Sequence, residues 1–224
     1  MKLRRIVKPV LLVLAVIVAL PHLAIVLLRW VDPPGSMLMV SRLLDGHGVE
    51  RRWRPLLGMA PSLGPQILAS EDNRFCIHGG VDWVEFAKVF QRYREGEEVR
   101  GASTITMQLA RNLFLWQGRD PLRKGLEIWL SLAMDAWLPK KRIMELYANT
   151  VEWGPGLYGA EATAQRYFGK SAARLSPAET SLMAAALPSP LRWNAGNPTP
   201  YLAERAATIR MRVEQLGGLA DCVH

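Results

Sequence analysis

Cysteine is scarce in this sequence: Cys76 and Cys222 are the only two in 224 residues. That is too few for a disulfide-stapled miniprotein or a cysteine-based zinc module. Gly-Lys-Ser occurs at Gly169-Lys170-Ser171, but Ala164 stands where the first glycine of a nucleotide-binding phosphate loop would, so the full G-x-x-x-x-G-K-S/T pattern is not met. Few runs alternate with period two, which argues against a large sheet. No internal repeat is apparent. Charged residues reach only 21% against 50% apolar, a balance that excludes wholesale disorder. The length fits one ordinary domain plus a short appended segment.

Acidic residues are the minority charge, 20 against 28 basic, for a net of +8. Taken alone, that excess points to nucleic acid or another polyanion. Its placement points elsewhere. Lys2, Arg4, Arg5 and Lys8 stand in the first eight residues, and Pro9–Leu28 then runs for twenty residues without a formal charge. Twenty helical residues span about 30 Å, the hydrocarbon thickness of a bilayer. A cleaved secretory signal is the alternative. The run is longer than a usual signal core, however, and Arg29-Trp30-Val31-Asp32 follows it where a small-x-small cleavage site would stand. The expectation is therefore a single membrane-spanning signal-anchor at 9–28, kinked at Pro21, with residues 1–8 cytoplasmic and the remainder outside the cytoplasmic membrane. Without those four charges, 24 basic residues face the same 20 acidic ones, a net of +4. An exported domain rarely meets nucleic acid, so no nucleic-acid partner is expected.

Asp32-Pro33-Pro34-Gly35-Ser36 reads as a linker, and 29–60 as a membrane-proximal region of weak structural signal. From about residue 62 the pattern predicts helices near 63–71, 83–95, 104–115, 122–138, 140–150, 159–168, 177–187 and 200–216. Asp82 with Glu85, and Ser176 with Glu179, fit capping boxes; Pro177 fits a first helical position, and Gly217 closes the last helix. The domain is placed at 61–217, with 218–224 as a tail. The polar, glycine-bounded stretch 95–101 is expected to be mobile.

Three segments could hold chemistry. In the first, Glu71-Asp72-Asn73-Arg74-Phe75-Cys76-Ile77-His78-Gly79-Gly80-Val81-Asp82, Glu71 follows Ile67 by four residues and Leu68 by three. It therefore shares their apolar stripe, and a carboxylate beside apolar surface has a raised pKa suited to acid or base work. The bland alternative is an acidic pair at a helix end with a core histidine; Asp82 reads as a cap. In the second, Arg100 to Asn112, Thr104, Gln108 and Arg111/Asn112 form one polar stripe, and Ser103 or Thr104 can cap the helix. A helix start with hydroxyls and a downstream cation can receive an anion; a solvated face is the alternative. In the third, Lys124, Glu127, Ser131 and Asp135 draw a single polar line on an otherwise apolar helix. Arg123 and Lys124 suit a diphosphate, Arg with a planar fork and Lys as a point charge. The alternative is an intrahelical Lys124–Glu127 pair.

In this order the segments resemble the signatures of the peptidoglycan glycosyltransferases of glycosyltransferase family 51, and among them the monofunctional biosynthetic transglycosylases. The first family motif, E-D-x-x-F-x-x-H-x-G-x-D, is matched by Glu71, Asp72, Phe75, His78, Gly80 and Asp82. The second, G-x-S-T-x-T-Q-Q-x-x-K-N, is met by Gly101, Ser103, Thr104, Thr106, Gln108 and Asn112; Met107 replaces the first glutamine and Arg111 the lysine. The third, R-K-x-x-E, is met by Arg123, Lys124 and Glu127. A fourth is met by Lys140, Arg142, Ile143, Glu145, Tyr147, Asn149 and Gly154. The resemblance covers roughly residues 60–216.

It implies a mainly α, lysozyme-like, two-lobed glycosyltransferase domain behind one transmembrane helix in the cytoplasmic (inner) membrane. It implies polymerisation of lipid II into β-1,4-linked glycan, with inversion and release of undecaprenyl diphosphate. Glu71 and Glu127 are the implied catalytic residues. Asp72, Phe75, His78, Ser103, Thr104, Gln108, Arg111, Asn112, Arg123 and Lys124 are the implied substrate-binding or pocket-shaping ones. Glu127 would either bind a divalent cation (Mg or Mn) on the substrate diphosphate or orient the neighbouring cations. Expected partners are lipid II, the growing glycan chain, the bilayer, and cell-wall synthesis or division proteins. Two rival readings stay open: a lysozyme-like glycan hydrolase, and a catalytically silent membrane-anchored scaffold. With one cysteine inside a motif and the other near the terminus, two free thiols are expected.

Overall fold

The computed structural model describes residues 2–97, 101, 103–118 and 120–223, with backbone alone at 2–7, 10 and 14. Of the 95–101 stretch, expected to be mobile, residues 98–100 lie outside the described residues.

Helices dominate. In chain order they are α1 (Lys2–Leu27), α2 (Met37–Leu44), α3 (Leu63–Glu71), α4 (Trp83–Arg94), α5 (Ile105–Phe114), α6 (Pro121–Trp137), α7 (Lys140–Thr150), α8 (Ala160–Phe168), α9 (Pro177–Ala186) and α10 (Pro200–Leu216). Their starts follow local chemistry. The Asp82, Thr104, Asp120, Ser176 and Thr199 side chains each accept a backbone N–H of the first turn. Ser176 and Glu179 complete a reciprocal capping box. Asp82 caps alone, because the Glu85 carboxylate accepts instead from Lys88.

Two parts of the fold go beyond the sequence reading. Ser36, read as linker, caps α2, whose Leu38 and Met39 are buried with Tyr158. The strands β1 (Glu50–Arg51), β2 (Glu152–Gly154) and β3 (Leu157–Tyr158) form a small sheet in the order β1-β3-β2. β1 pairs with β3 in parallel, and β2 with β3 antiparallel. Strands this short carry no period-two signal.

The core joins α3, α5, α7 and α9 through residues such as Leu63, Ile67, Leu68, Ile105, Leu109, Met144, Leu146 and Met183. α3 packs against both α9 and α10. The alanines 184–186 and Ala206 keep those helices close, since small side chains permit short interaxial distances. The end of α1 docks on the domain. Ile25 and Leu28 are buried, Arg142 Nε donates to the Leu28 carbonyl at 2.8 Å, and the His22 and Trp129 rings lie 5.3 Å apart. Among the described residues, no helix is long and apolar enough to cross a membrane.

The expectation of two free thiols is wrong: Cys76 and Cys222 form a disulfide. Residues Gly217–Val223 are a 3₁₀ segment that packs back on the domain, with Val223 buried against Gly64 at the start of α3. That return brings the two cysteine Cα atoms to 5.7 Å, within bridging range. A separation of 146 residues hides the pairing from sequence.

Candidate active site

Glu71 is the last residue of α3. Ile67 and Leu68, one turn earlier, are fully buried, so the carboxylate emerges from an apolar wall into a cleft of about 390 Å³. Its oxygens are held from two sides. The Ser70 hydroxyl donates to Oε1 at 3.0 Å and also lies 3.0 Å from the Ala184 carbonyl. Gln108 Nε2 donates to Oε2 at 3.1 Å. Burial pushes the Glu71 carboxyl above its ordinary range, and the Asp72 charge adds to that push. The bonds from Gln108 and Ser70 and the charge of Arg205 pull the other way.

The loop that follows α3 is bolted down by the remaining residues of the first motif. Asp72 accepts from His78 Nε2 at 3.0 Å and from the Ile105 backbone N–H at 3.0 Å, which ties the loop to the start of α5. Acceptance by a carboxylate places the proton of His78 on Nε2; its buried Nδ1 has no partner among the described residues. Thr104 donates its hydroxyl to the Gly80 carbonyl at 2.6 Å while capping Met107 N–H. Phe75 is fully buried, with Lys140 Nζ 4.6 Å from its ring centre; the same ammonium donates to the His78 carbonyl and pairs with Asp135. Phe75 and His78 therefore support the loop and do not line the cleft.

Gly80 explains itself. Its φ is +82°, and a Cβ there would stand 2.4 Å from the Ser131 carbonyl of α6. The polar line on α6 is thus mostly an internal seam: Ser131 and Asp135 face this loop, Lys124 reaches Ser103, and Glu127 pairs with Lys124 and Arg123.

Glu127 is 1% exposed. Arg123 Nη1 donates to one of its oxygens and Lys124 Nζ to the other, at 2.7 Å for Lys124. Lys124 also donates to Ser103 Oγ at 2.9 Å, and Ser103 lines the same cleft as Glu71. The two glutamates therefore stand at one site, Glu71 on the cleft and Glu127 one hydrogen-bonded layer behind it. Both oxygens of the Glu127 carboxylate accept from cations, and no group of acidic, His and Cys side chains suited by itself to a metal occurs among the described residues. Its geometry is that of a residue orienting Arg123 and Lys124.

Asp72, Ser103 and Thr104 line the cleft, and Gln108 reaches it through Glu71. Arg123 and Asn112 are buried, 7% and 3% exposed, and are not on its wall. Met107 is fully buried, so the side chain at this departure from the motif points into the protein and not toward the cleft. Arg74, Lys88 and Arg212, which the sequence reading passed over, bring further cations to the cleft. Arg74 sits inside the first motif and could have been found. Arg205 and Arg212 lie on α10, more than 130 residues after Glu71, with no sequence signal.

A family model described as Transglycosylase matches residues 38–214, which takes the likeness back into α2. A protein of Caulobacter vibrioides named biosynthetic peptidoglycan transglycosylase is 45% identical over 223 residues, covering 98% of this chain and 97% of that one. A protein of the same name in Rhodospirillum centenum is 50% identical over 198 residues, 87% of this chain and 86% of its own length. Another, in Pseudomonas aeruginosa, is 45% identical over 200 residues, with shares of 87% and 86%. The cleft carboxylate, the bolted loop behind it and this end-to-end likeness agree: the chain belongs to the transglycosylase family.

Proposed function

We propose that this chain is a peptidoglycan glycosyltransferase that polymerises lipid II into β-1,4-linked glycan. Glu71 takes the proton from the 4-hydroxyl of the acceptor's terminal N-acetylglucosamine. The hydroxyl oxygen attacks the anomeric carbon of the donor's lipid-linked sugar from the face opposite the diphosphate. The C–O bond to the diphosphate breaks, its electron pair leaves with undecaprenyl diphosphate, and the configuration inverts. The logic parallels that of an inverting glycosidase, with a sugar hydroxyl in place of water.

The observation that carries this reading is Glu71 itself: one carboxylate, raised by burial, open to a cleft and steadied by Ser70 and Gln108. A base held above the ordinary carboxylate range removes a hydroxyl proton more readily near neutral pH. Charge compensation for the departing diphosphate falls to Lys124, which reaches the cleft wall through Ser103, with Arg123 on the same Glu127 behind it and Arg111 of α5 as a further cation. Glu127 holds Arg123 and Lys124 in place. Asp72, Ser103 and Thr104 line the pocket, and Phe75 and His78 support its loop from behind. A divalent cation (Mg or Mn) on the substrate diphosphate, near Glu127, would supply further charge compensation to the leaving group.

The lysozyme-like, two-lobed description of the domain, and an anchor at residues 9–28 in the cytoplasmic membrane with the domain outside, belong to the same proposal. Support for the anchor is the uncharged run after four basic residues, with Leu11, Leu12, Ile17, Leu20 and Leu23 all more than half exposed. The disulfide agrees with an oxidising compartment. Both substrates carry polyprenyl tails, so a tethered enzyme meets them at raised effective concentration.

The test is incubation of the full chain in detergent or vesicles with labelled lipid II. Wild type is expected to make glycan chains and Glu71→Gln none. Cleavage of finished glycan by a protein that makes no polymer would favour a hydrolase. Neither activity from folded wild type would favour a scaffold.

A further inference from the structure

We infer that Tyr147 is a positioning residue for this reaction: its hydroxyl holds the Gln108 amide in the one orientation that presents an N–H to Glu71. The inference rests on reading Glu71 as the base.

Tyr147 lies on α7 and is fully buried. Its hydroxyl donates to Gln108 Oε1 at 3.0 Å, and Gln108 Nε2 donates to Glu71 Oε2 at 3.1 Å. Three helices, α7, α5 and α3, thus meet in a single relay. A side-chain amide can offer either end, and the two ends act on a carboxylate in opposite ways. The N–H end favours the ionised form; the oxygen end repels it and welcomes a protonated one. A phenol with a proton to give pins the oxygen end toward α7. Burial, aided by the Glu71 charge, pushes the Tyr147 phenol well above its usual range, so it stays a donor at any working pH. Remove that donor, and Oε1 of the half-buried Gln108 loses its partner on α7. The cheapest repair is to turn the amide and accept from a protonated Glu71. Glu71 then holds its proton to higher pH.

Other charges bear on Glu71. Asp72 adjoins it and Arg205 faces it from α10; Arg111 bears on Tyr147 from α5. Arg74, Asp82, Glu85, Lys88 and Arg212 line the cleft around it. None of these changes on replacing Tyr147 by Phe, so a shift in the profile reports the relay.

The experiment is the pH profile of lipid II polymerisation for wild type, Tyr147→Phe, Gln108→Leu and the double variant, with Glu71→Gln as control. The acid limb of Tyr147→Phe is expected to move up by roughly 0.5–1 pH unit, the effect of weakening one hydrogen bond to a carboxylate. Gln108→Leu moves it at least as far, and Tyr147→Phe adds nothing in that background. Incorporation of 3-fluorotyrosine at 147, a stronger donor of nearly the same shape, moves the limb down and serves if the Phe variant does not fold. A limb unmoved by the Phe variant, or by fluorotyrosine where Phe does not fold, overturns the inference. So does a Tyr147→Phe shift that persists in full without Gln108. If Glu71→Gln still polymerises, the reading of the base itself fails; if it is inactive and the limb is fixed, only the role of Tyr147 fails.

Discussion

At the scale of the residue, two glutamates of the same site live under different rules. Among the described residues Glu71 is hydrogen-bonded by the neutral donors Ser70 and Gln108, and desolvation outweighs these bonds and the charge of Arg205, so its own charge is costly. Its folded pKa lies above the unfolded value. Between the two, the folded chain keeps a proton that the unfolded chain has lost, and stability falls as pH rises through that window. Glu71→Gln removes the penalty. Its melting temperature at pH 7–8 is expected to equal or exceed that of wild type, while polymerisation is lost; a clear fall in melting temperature would contradict this account. Glu127 is buried between two cations. Glu127→Gln leaves Arg123 charged, 7% exposed and without its carboxylate, at an expected cost of about 3 kcal/mol in denaturant unfolding. A neutral Glu127→Gln would mean that the seam behind the cleft is not built on that charge.

At the scale of the element, the loop from Asp72 to Asp82 is the part that matters, because it is pinned to α5 by Asp72 and Thr104 and to α6 by close approach at Gly80. Gly80→Ala forces a side chain into a left-handed conformation and against the Ser131 carbonyl, and is expected to cost about 2–4 kcal/mol. Gly125→Ala, inside α6 with open space at its Cβ, is expected to stabilise by about 0.5–1 kcal/mol. Urea unfolding of both variants checks the pair, and equal effects would contradict the packing described. The eight helices from α3 to α10 were legible because Gly and Pro punctuate the chain between them and because several, such as those opened by Asp82, Ser176 and Thr199, carry side-chain caps. α2 was not, since Pro33-Pro34-Gly35 ahead of its cap reads as a linker. The motif residues were legible as a set, but their division of labour was not. Only packing shows that Phe75 and His78 face inward, that Met107 is buried, and that Arg205 and Arg212 approach the cleft from a distant helix.

At the scale of the molecule, the scarce cysteines turn out to join the first motif to the chain's last 3₁₀ segment. A bridge across 146 residues restricts the unfolded chain by about 5 kcal/mol on chain-entropy reasoning. Thermal unfolding with and without reductant, and of Cys222→Ser, should show a melting temperature lower by several degrees in both cases; an unchanged value would contradict the staple. The excess positive charge resolves into two parts, four residues ahead of the apolar run and a set of arginines and lysines gathered on one cleft. The central claim is that this cleft works through a single desolvated base. The most direct measurement is the single-turnover rate of lipid II polymerisation against pH. The account predicts an acid limb above the ordinary carboxylate range, with Glu71→Gln inactive at every pH. A limb at or below the ordinary range, or substantial turnover by Glu71→Gln, would contradict it.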